Sequence, residues 1–473
     1  MQRRPNAGGV PPRAAGAGVT SAALVLITGC TLFAFAGAYE WTVVPLVCGA
    51  LLLTIRERPS LVRSPNTILD IAMITGLVMA ATTLVRLPAA VRLAIAPHAQ
   101  PIDQALFFGA PSVTALGSGR PLSMDPAQTT WALIVAISIA LVFWCARSIV
   151  ARGGLRETIR GIAWMGLALS VLTVIQHATS PKLLYWYWHP VARLASPFGP
   201  FVNRNDLATW LIMAIPATIG YGVARFQSRR AATGGFDLEK SFDATALWLA
   251  GSVCLMLGTL IVTMSRSGLI GELVGLVCLM WLARSRVTAS GWRWLAAIML
   301  VLVVIAATYG NWKQVIERVD ETMALGLAGR REIWNLTWQI VKDFPLFGVG
   351  LGAYPRVMSV YQPVPHLFYF NNAHSQYLQL LTEGGGVLVV PGAIAAAAAT
   401  WRIAQRLRAD HTPIFWIRAG AASGLLAVAV QAVWQVVLIP AANGVLFAIL
   451  AAVAMHEARP STRPRAGSVR QTH

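Results

Sequence analysis

GRREIWNLTWQIVKDFPLFGVGLGAYPRV (329–357) and YFNNAHSQYLQLLTEGGG (369–386) bound the longest polar interruption in a chain that is otherwise compatible with hydrocarbon. In the first piece Arg330, Arg331, Trp334, Trp338 and Lys342 recur at three- and four-residue spacings, which predicts a surface helix with an aromatic and cationic edge. Pro345 ends that pattern, and Gly348, Gly350 and Gly352 predict an irregular turn where backbones approach closely. In the second piece a short helix is predicted from about Ala373 to Glu383, with His374, Gln376 and Glu383 as its polar members. Everything before and after this loop reads as membrane helix with short connections.

The 473 residues are 56% hydrophobic and only 12% charged, with a mean hydropathy of +0.60. The apolar residues fall in runs of roughly 15 to 22, the length a helix needs to cross a bilayer core. About twelve spans are predicted, near residues 20–38, 41–55, 68–85, 131–147, 159–177, 207–224, 244–264, 267–283, 294–309, 386–401, 417–438 and 441–456. The fold class is therefore an all-α integral membrane bundle with its long helical loop between spans 9 and 10. By domain, this is a tail (1–19), spans 1–9 (20–309), the loop (310–385), spans 10–12 (386–456) and a second tail (457–473).

An even count puts both termini on one side. The connections on that side hold about 25 basic residues, against about 13 in the opposite set, although the latter contains every long loop. Both termini are thus expected in the cytoplasm and the long loop in the periplasm of an inner-membrane protein. The net charge of +19 reflects this topology and excludes a nucleic-acid patch. The five cysteines sit inside apolar runs without metal-ligand spacing, so they read as packing residues. The basic start (Arg3, Arg4, Arg13) precedes an apolar run long enough to stay as a helix instead of a cleaved leader.

Other outward segments carry local signals. PAAVRLAIA (88–96) is predicted as an interfacial helix, and Tyr185, Trp186, Tyr187 and Trp188 as an aromatic belt at a bilayer edge. Arg266, in the tight outward turn TMSRSGLIGE, is costly beside hydrocarbon. With Ser265 and Ser267 it offers guanidinium, hydroxyl and backbone donors to a phosphate or diphosphate. Glu272 is a buried carboxylate in need of a partner, read as a structural ion pair, and Gln431 and Gln435 share a face of the eleventh span. His374, with Asn371, Asn372, Gln376 and Glu383 close in sequence, is suited to take a proton from a sugar hydroxyl near neutral pH. No acidic metal pair, HExxH, Walker loop or GxSxG occurs, and GVGLG lacks the strand and helix of a nucleotide site.

Four segments, FGPFVNRNDLATWLIMAIPATIG (198–220), TMSRSGLIGELVGLV (263–277), GRREIWNLTWQIVKDFPLFGVGLGAY (329–354) and NNAHSQYLQLLTEGGG (371–386), occur in an order that resembles the O-antigen ligase and O-antigen polymerase family of bacterial membrane proteins. RPLSMDPAQTT (120–130) is a softer match. The resemblance implies a GT-C-like, inverting glycosyltransferase that requires no metal and no cofactor. Its donor would be a polyprenyl-diphosphate-linked glycan on the periplasmic face, and its acceptor lipid A core, another lipid-linked glycan or a protein hydroxyl. By the same resemblance Arg266 and Arg330 or Arg331 bind the diphosphate and His374 serves the acceptor hydroxyl, with Asn203, Asn205, Asn372, Gln376 and Glu383 in support. The sequence departs from the family pattern at Ser375, where Asn is frequent, and at Asp206, where His is common. A twelve-span transporter or flippase of a lipid-linked glycan is the alternative of another class, and the absence of a visible repeat counts against it.

Overall fold

The computed structural model describes residues 12–61, 65–106, 119–191, 195–233, 243–286, 330–363 and 370–457. The chain starts with α1 (Pro12–Phe33), α2 (Val44–Glu57) and α3 (Thr67–Thr82), followed by the short helices α4 (Ala89–Ile95) and α5 (Ala99–Leu106). Among the described residues six helical segments are long and apolar enough to cross a membrane. The first, 126–179, bends at Gly153 (φ +108°) into α6 (Pro126–Ile149) and α7 (Leu155–Thr179). The next three are α8 (Arg204–Thr233), α9 (Ala244–Val262) and α10 (Arg266–Ala283). After α11 (330–343) and α12 (Tyr354–Tyr361) come the last two, α13 (Gln376–Ala409) and α14 (Ile414–Gln431), and then α15 (Ala441–Ala454). Helices thus cover eleven of the twelve predicted stretches. The remaining one, the ninth (294–309), and the loop start 310–329 lie outside the described residues. α2, α3 and α15 are shorter than the six crossing segments.

The centre of the bundle is α8 with α10 and α14. Trp210, Leu211, Met213 and Ile215 of α8 are fully buried. A Cβ at Gly220 would collide with the Trp416 carbonyl, and one at Gly420 with that of Pro216, so only glycine lets these backbones touch. With no hydrophobic force between helices in lipid, close contact of this kind holds the pair together.

A second apolar cluster forms a cap at one end of the bundle. There Ile340 and Phe344 from the α11 region meet Tyr354, Val357 and Met358 of α12 and Ala99 and Ile102 of α5. α4 is anchored to this cap, with Val91 and Leu93 left exposed: Arg92 is buried, bonded to Asp103 (2.6 Å) and to the Pro121 carbonyl (2.8 Å). A buried, paired arginine anchors the helix to a folded unit. Of the predicted belt, Trp186 and Tyr187 stay exposed and the other two residues are packed. Tyr185 and Trp188 join Phe35, Tyr39 and Trp41 in a ring cluster, with the Trp188 indole donating to the Tyr39 hydroxyl at 3.1 Å.

At the opposite end, basic residues are matched by acids. Arg147 and Trp144 bond Asp70, Arg418 pairs with Asp410, Arg152 with Glu57, and Arg406 with Glu457.

Two boundaries differ from expectation. The helix predicted over 373–383 and the span over 386–401 run together as α13, broken at Gly385 (φ +58°). The GVGLG turn fills that break: Val349 and Gly350 amides donate to the Thr382 and Glu383 carbonyls (3.0 and 2.9 Å), and Gly386 and Val387 amides donate to Pro345 and Leu346 (2.9 and 3.0 Å). Finally, α14 stops at Gln431, so Gln435 lies in a loop and not on a shared helical face.

Candidate active site

Arg266 opens α10 after a connection too tight for ordinary turn geometry, with Met264 at φ +52°. Ser265 caps the helix by accepting from the Gly268 amide (3.3 Å), and the Ser265 amide donates to Thr263 Oγ1 (3.2 Å). The turn therefore fixes an exposed arginine at the first helical position, where helix amides also favour an anion.

Arg330 opens α11 and is half-buried, while Arg331 is exposed. The pKa of Arg330 is lowered by burial and then by the charge of Arg266, so the two guanidiniums lie within electrostatic reach of each other. Among the described residues neither forms an ion pair with a carboxylate. Like charges held together without a counter-ion are a configuration that an anionic ligand would stabilise.

His374 feels the same field. Its pKa is lowered from 6.5, first by burial and then by Arg330, with Gln435 acting in the opposite direction. The residue sits at φ +47°, an uncommon conformation for a non-glycine residue, and its surroundings over-determine it. The His374 amide donates to Asn372 Oδ1 (3.0 Å), the Ala373 amide to Gln379 Oε1 (2.8 Å), and the Trp334 indole of α11 to the Ala373 carbonyl (3.0 Å). Gln379 in turn donates to Glu383 Oε1 (2.7 Å), and Glu383 also accepts from the Gly352 and Tyr354 amides.

The supporting residues named from sequence divide by location. Asn372 and Glu383 hold the histidine turn from beside and beneath. Gln376 ties it to the loop after α14: its amide donates to the Ala432 and Gln435 carbonyls (2.9 and 3.2 Å), and its Oε1 accepts from Val437 and Leu438 (3.1 and 3.0 Å). Asn203 turns the chain into α8, accepting the Asn205 amide at 2.9 Å, and the Asn205 carbonyl accepts from Thr209 and Gln431 (3.0 and 3.4 Å). These two contacts belong to the α8 entry, not to the histidine. Glu272 has no partner among the described residues on either oxygen, contrary to the ion pair expected for it.

Two residues join the site without having been selected for it from sequence. Gln435 lies near both His374 and Asp206, and its Oε1 and the His374 Nδ1 are left without a hydrogen-bond partner among the described residues. Gln435 had only its shared face with Gln431 as a signal, and Asp206 only its departure from the family pattern. Among the described residues no group of three or more His, Cys, Asp or Glu side chains could hold a metal ion.

No curated protein matches this chain. Residues 251–393, from α9 through most of α13, match the O-antigen ligase family. This segment contains Arg266, Arg330, Arg331, His374 and Glu383, the parts that the fold gathers at one end of the bundle. Over residues 251–393 the chain is thus similar to the O-antigen ligase family, and that segment is carried on a bundle with helices long and apolar enough to cross a membrane.

Proposed function

We propose that the protein transfers a glycan from a polyprenyl diphosphate to an acceptor hydroxyl on the periplasmic face of the bacterial inner membrane. One observation carries this reading: Arg266, Arg330 and His374, from three separate segments, are electrostatically coupled at the capped end of the bundle. A polyprenyl tail stays in the lipid while its diphosphate enters between the two arginines. The acceptor oxygen attacks the anomeric carbon and the bond from that carbon to the diphosphate oxygen breaks. The hydroxyl proton passes to the His374 imidazole, and negative charge develops on the polyprenyl diphosphate. The guanidiniums stabilise that charge, and their fixed positions make the stabilisation effective without a metal. Attack opposite the leaving group inverts the anomeric centre.

The orientation follows from charge. The ion-paired basic end faces the cytoplasm together with both termini, in the twelve-span, GT-C-like arrangement predicted from sequence, and the cap faces the periplasm. Of the two arginines at the start of α11, Arg330 is the donor ligand, because it faces Arg266 and His374, whereas Arg331 is exposed.

The test is reconstitution of the purified protein with a defined polyprenyl-diphosphate oligosaccharide, offered in turn with lipid A core, with excess donor and with a Ser-bearing peptide. Glycosylated lipid A core identifies a ligase, a ladder of longer lipid-linked glycans a polymerase, and glycopeptide a protein-directed enzyme. R266A and H374A should each lose about a hundredfold or more in rate while the protein still inserts. Donor binding without modification of any acceptor refutes the reading in favour of transport.

A further inference from the structure

Beside the cap lies an aromatic cluster with no part in the transfer chemistry. Phe35 and Ala36, after α1, and Tyr185 and Trp186, after α7, sit at positive φ (+53°, +55°, +52° and +67°). Among the described residues seven non-glycine positions do so, and two of the other three are Met264 and His374 of the candidate active site. Holding a bulky residue in this conformation costs about 1–3 kcal/mol, and such strain collects where a surface is preset for a ligand.

The rings are locked together. Phe35 lies at the centre, with Tyr39, Trp41, Tyr185 and Trp188 at 5.2 to 5.6 Å between ring centroids, and Tyr39 and Trp41 are parallel to within 6°. The Trp188 indole donates to the Tyr39 hydroxyl (3.1 Å), the Trp186 indole to Thr179 Oγ1 (2.7 Å), and the Tyr185 hydroxyl to the Phe33 carbonyl. Buried Gln176 of α7 fixes the backbone, donating to the Leu183 carbonyl (2.8 Å) and accepting from the Tyr185 amide (3.2 Å). Around this rigid centre Trp41, Trp186 and Tyr187 remain 56, 43 and 68% exposed.

A tryptophan that anchors a protein in the headgroup layer turns its indole N–H outward to lipid and water. Here the indole N–H groups of Trp186 and Trp188 are spent on the protein's own hydroxyls, which leaves ring faces for a ligand. Glu40 adjoins Trp41 and accepts from Gln128 Nε2 (3.4 Å), and Lys182 and His189 are exposed in the other segment, so no single charge selects an anionic headgroup. Fixed ring faces beside a carboxylate acceptor fit a sugar, which has C–H faces to stack and hydroxyls to donate. The cluster is continuous with the active site. A Cβ at Gly37 would lie 2.6 Å from Ala441 Cβ, and Ala441 opens α15 directly after the loop that Gln376 holds beside His374. On another side a Cβ at Gly352, whose amide donates to Glu383, would lie 3.4 Å from Gln128 Cβ.

We propose that Trp41, Trp186 and Tyr187, on the Phe35 cluster, form a binding subsite for the glycan chain of the donor, at sugars distant from the diphosphate. The inference rests on the glycosyl-transfer reading, in which the donor carries a glycan whichever acceptor is used.

The test measures equilibrium binding, without acceptor, of two probes to the protein in lipid nanodiscs: a polyprenyl diphosphate bearing one sugar and one bearing a defined oligosaccharide of several repeats. Wild type should bind the second more tightly. Trp41→Ala, Trp41→Leu and Tyr187→Ala should each weaken the long probe by about tenfold, the size of one lost ring contact, and leave the single-sugar probe unaffected. Trp41→Phe keeps a ring and should recover most of the affinity. Leucine serves a bilayer as well as phenylalanine does, so W41L binding the long probe as wild type does identifies a lipid anchor and overturns the proposal. Equal weakening of both probes, the mark of a merely structural role, overturns it too, as does a wild type that binds both probes alike. Should W41A fail to accumulate, W41L against W41F decides alone. Transfer is assayed separately. An active wild type whose Trp41 variants bind unchanged leaves the transfer reading standing without the subsite, and the expected binding pattern without modification of any acceptor leaves the subsite standing while transport replaces transfer.

Discussion

Replacing Glu383 by alanine should unlatch the histidine turn from below. The carboxylate is 9% exposed and accepts from Gln379 Nε2 at 2.7 Å and from the amides of Gly352 and Tyr354. A hydrogen bond to a charged group contributes about 1.5–3 kcal/mol, and each buried donor left unpaired costs about 1–3 kcal/mol. The three bonds share one carboxylate and do not add in full, so E383A should lose about 3–5 kcal/mol, a large fraction of a total near 5–15 kcal/mol. E383Q keeps one acceptor oxygen and should lose only about 1–2 kcal/mol. The effect extends to catalysis, because Gln379, freed from Glu383, no longer holds the Ala373 amide (2.8 Å) one residue before His374. Reversible unfolding in mild denaturant reports the first effect, and transfer rate at saturating donor the second. E383A with wild-type stability and wild-type rate would refute the reasoning, as would E383Q losing as much as E383A.

The acid limb of the transfer rate should lie below pH 6.5, since burial and Arg330 both hold His374 neutral and a base fails only once protonated. Removing Arg330 in R330Q should move the midpoint upward toward 6.5 even as the overall rate falls, which a pH–rate profile checks. Asp70, 2% exposed, accepts from Arg147 at 2.8 and 3.1 Å and from Trp144 at 2.9 Å. D70A should therefore cost about 3–5 kcal/mol by stranding a buried guanidinium, with donor binding at the far end of the bundle unchanged.

Much of this protein is legible along the chain because its signals are local sums. A run of apolar residues identifies a helix in lipid whatever its neighbours are, and eleven predicted stretches coincide with helices for that reason. Arg266, Arg330 and His374 were equally visible, since charge and imidazole are conspicuous against hydrocarbon. Boundaries that depend on a partner were not. Nothing local shows that the α13 helix passes through Gly385 on the support of the GVGLG turn, or that α14 stops where Gln431 meets Thr209 of α8. Arg92 reads as an interfacial residue until Asp103 is placed beside it.

The sequence by itself determined a helical membrane protein and the residue types available for chemistry, because composition and periodicity depend on no contact. Only the tertiary structure decided that Arg330 is half-buried within electrostatic reach of Arg266 while Arg331 is exposed, that Gln435 and Asp206 lie near His374, and that Glu383 supports the turn from beneath. Those assignments rest on pairings between side chains remote in sequence, and electrostatic and hydrogen-bond energies fall off over a few ångströms, a distance that has no counterpart in the order of residues along a chain.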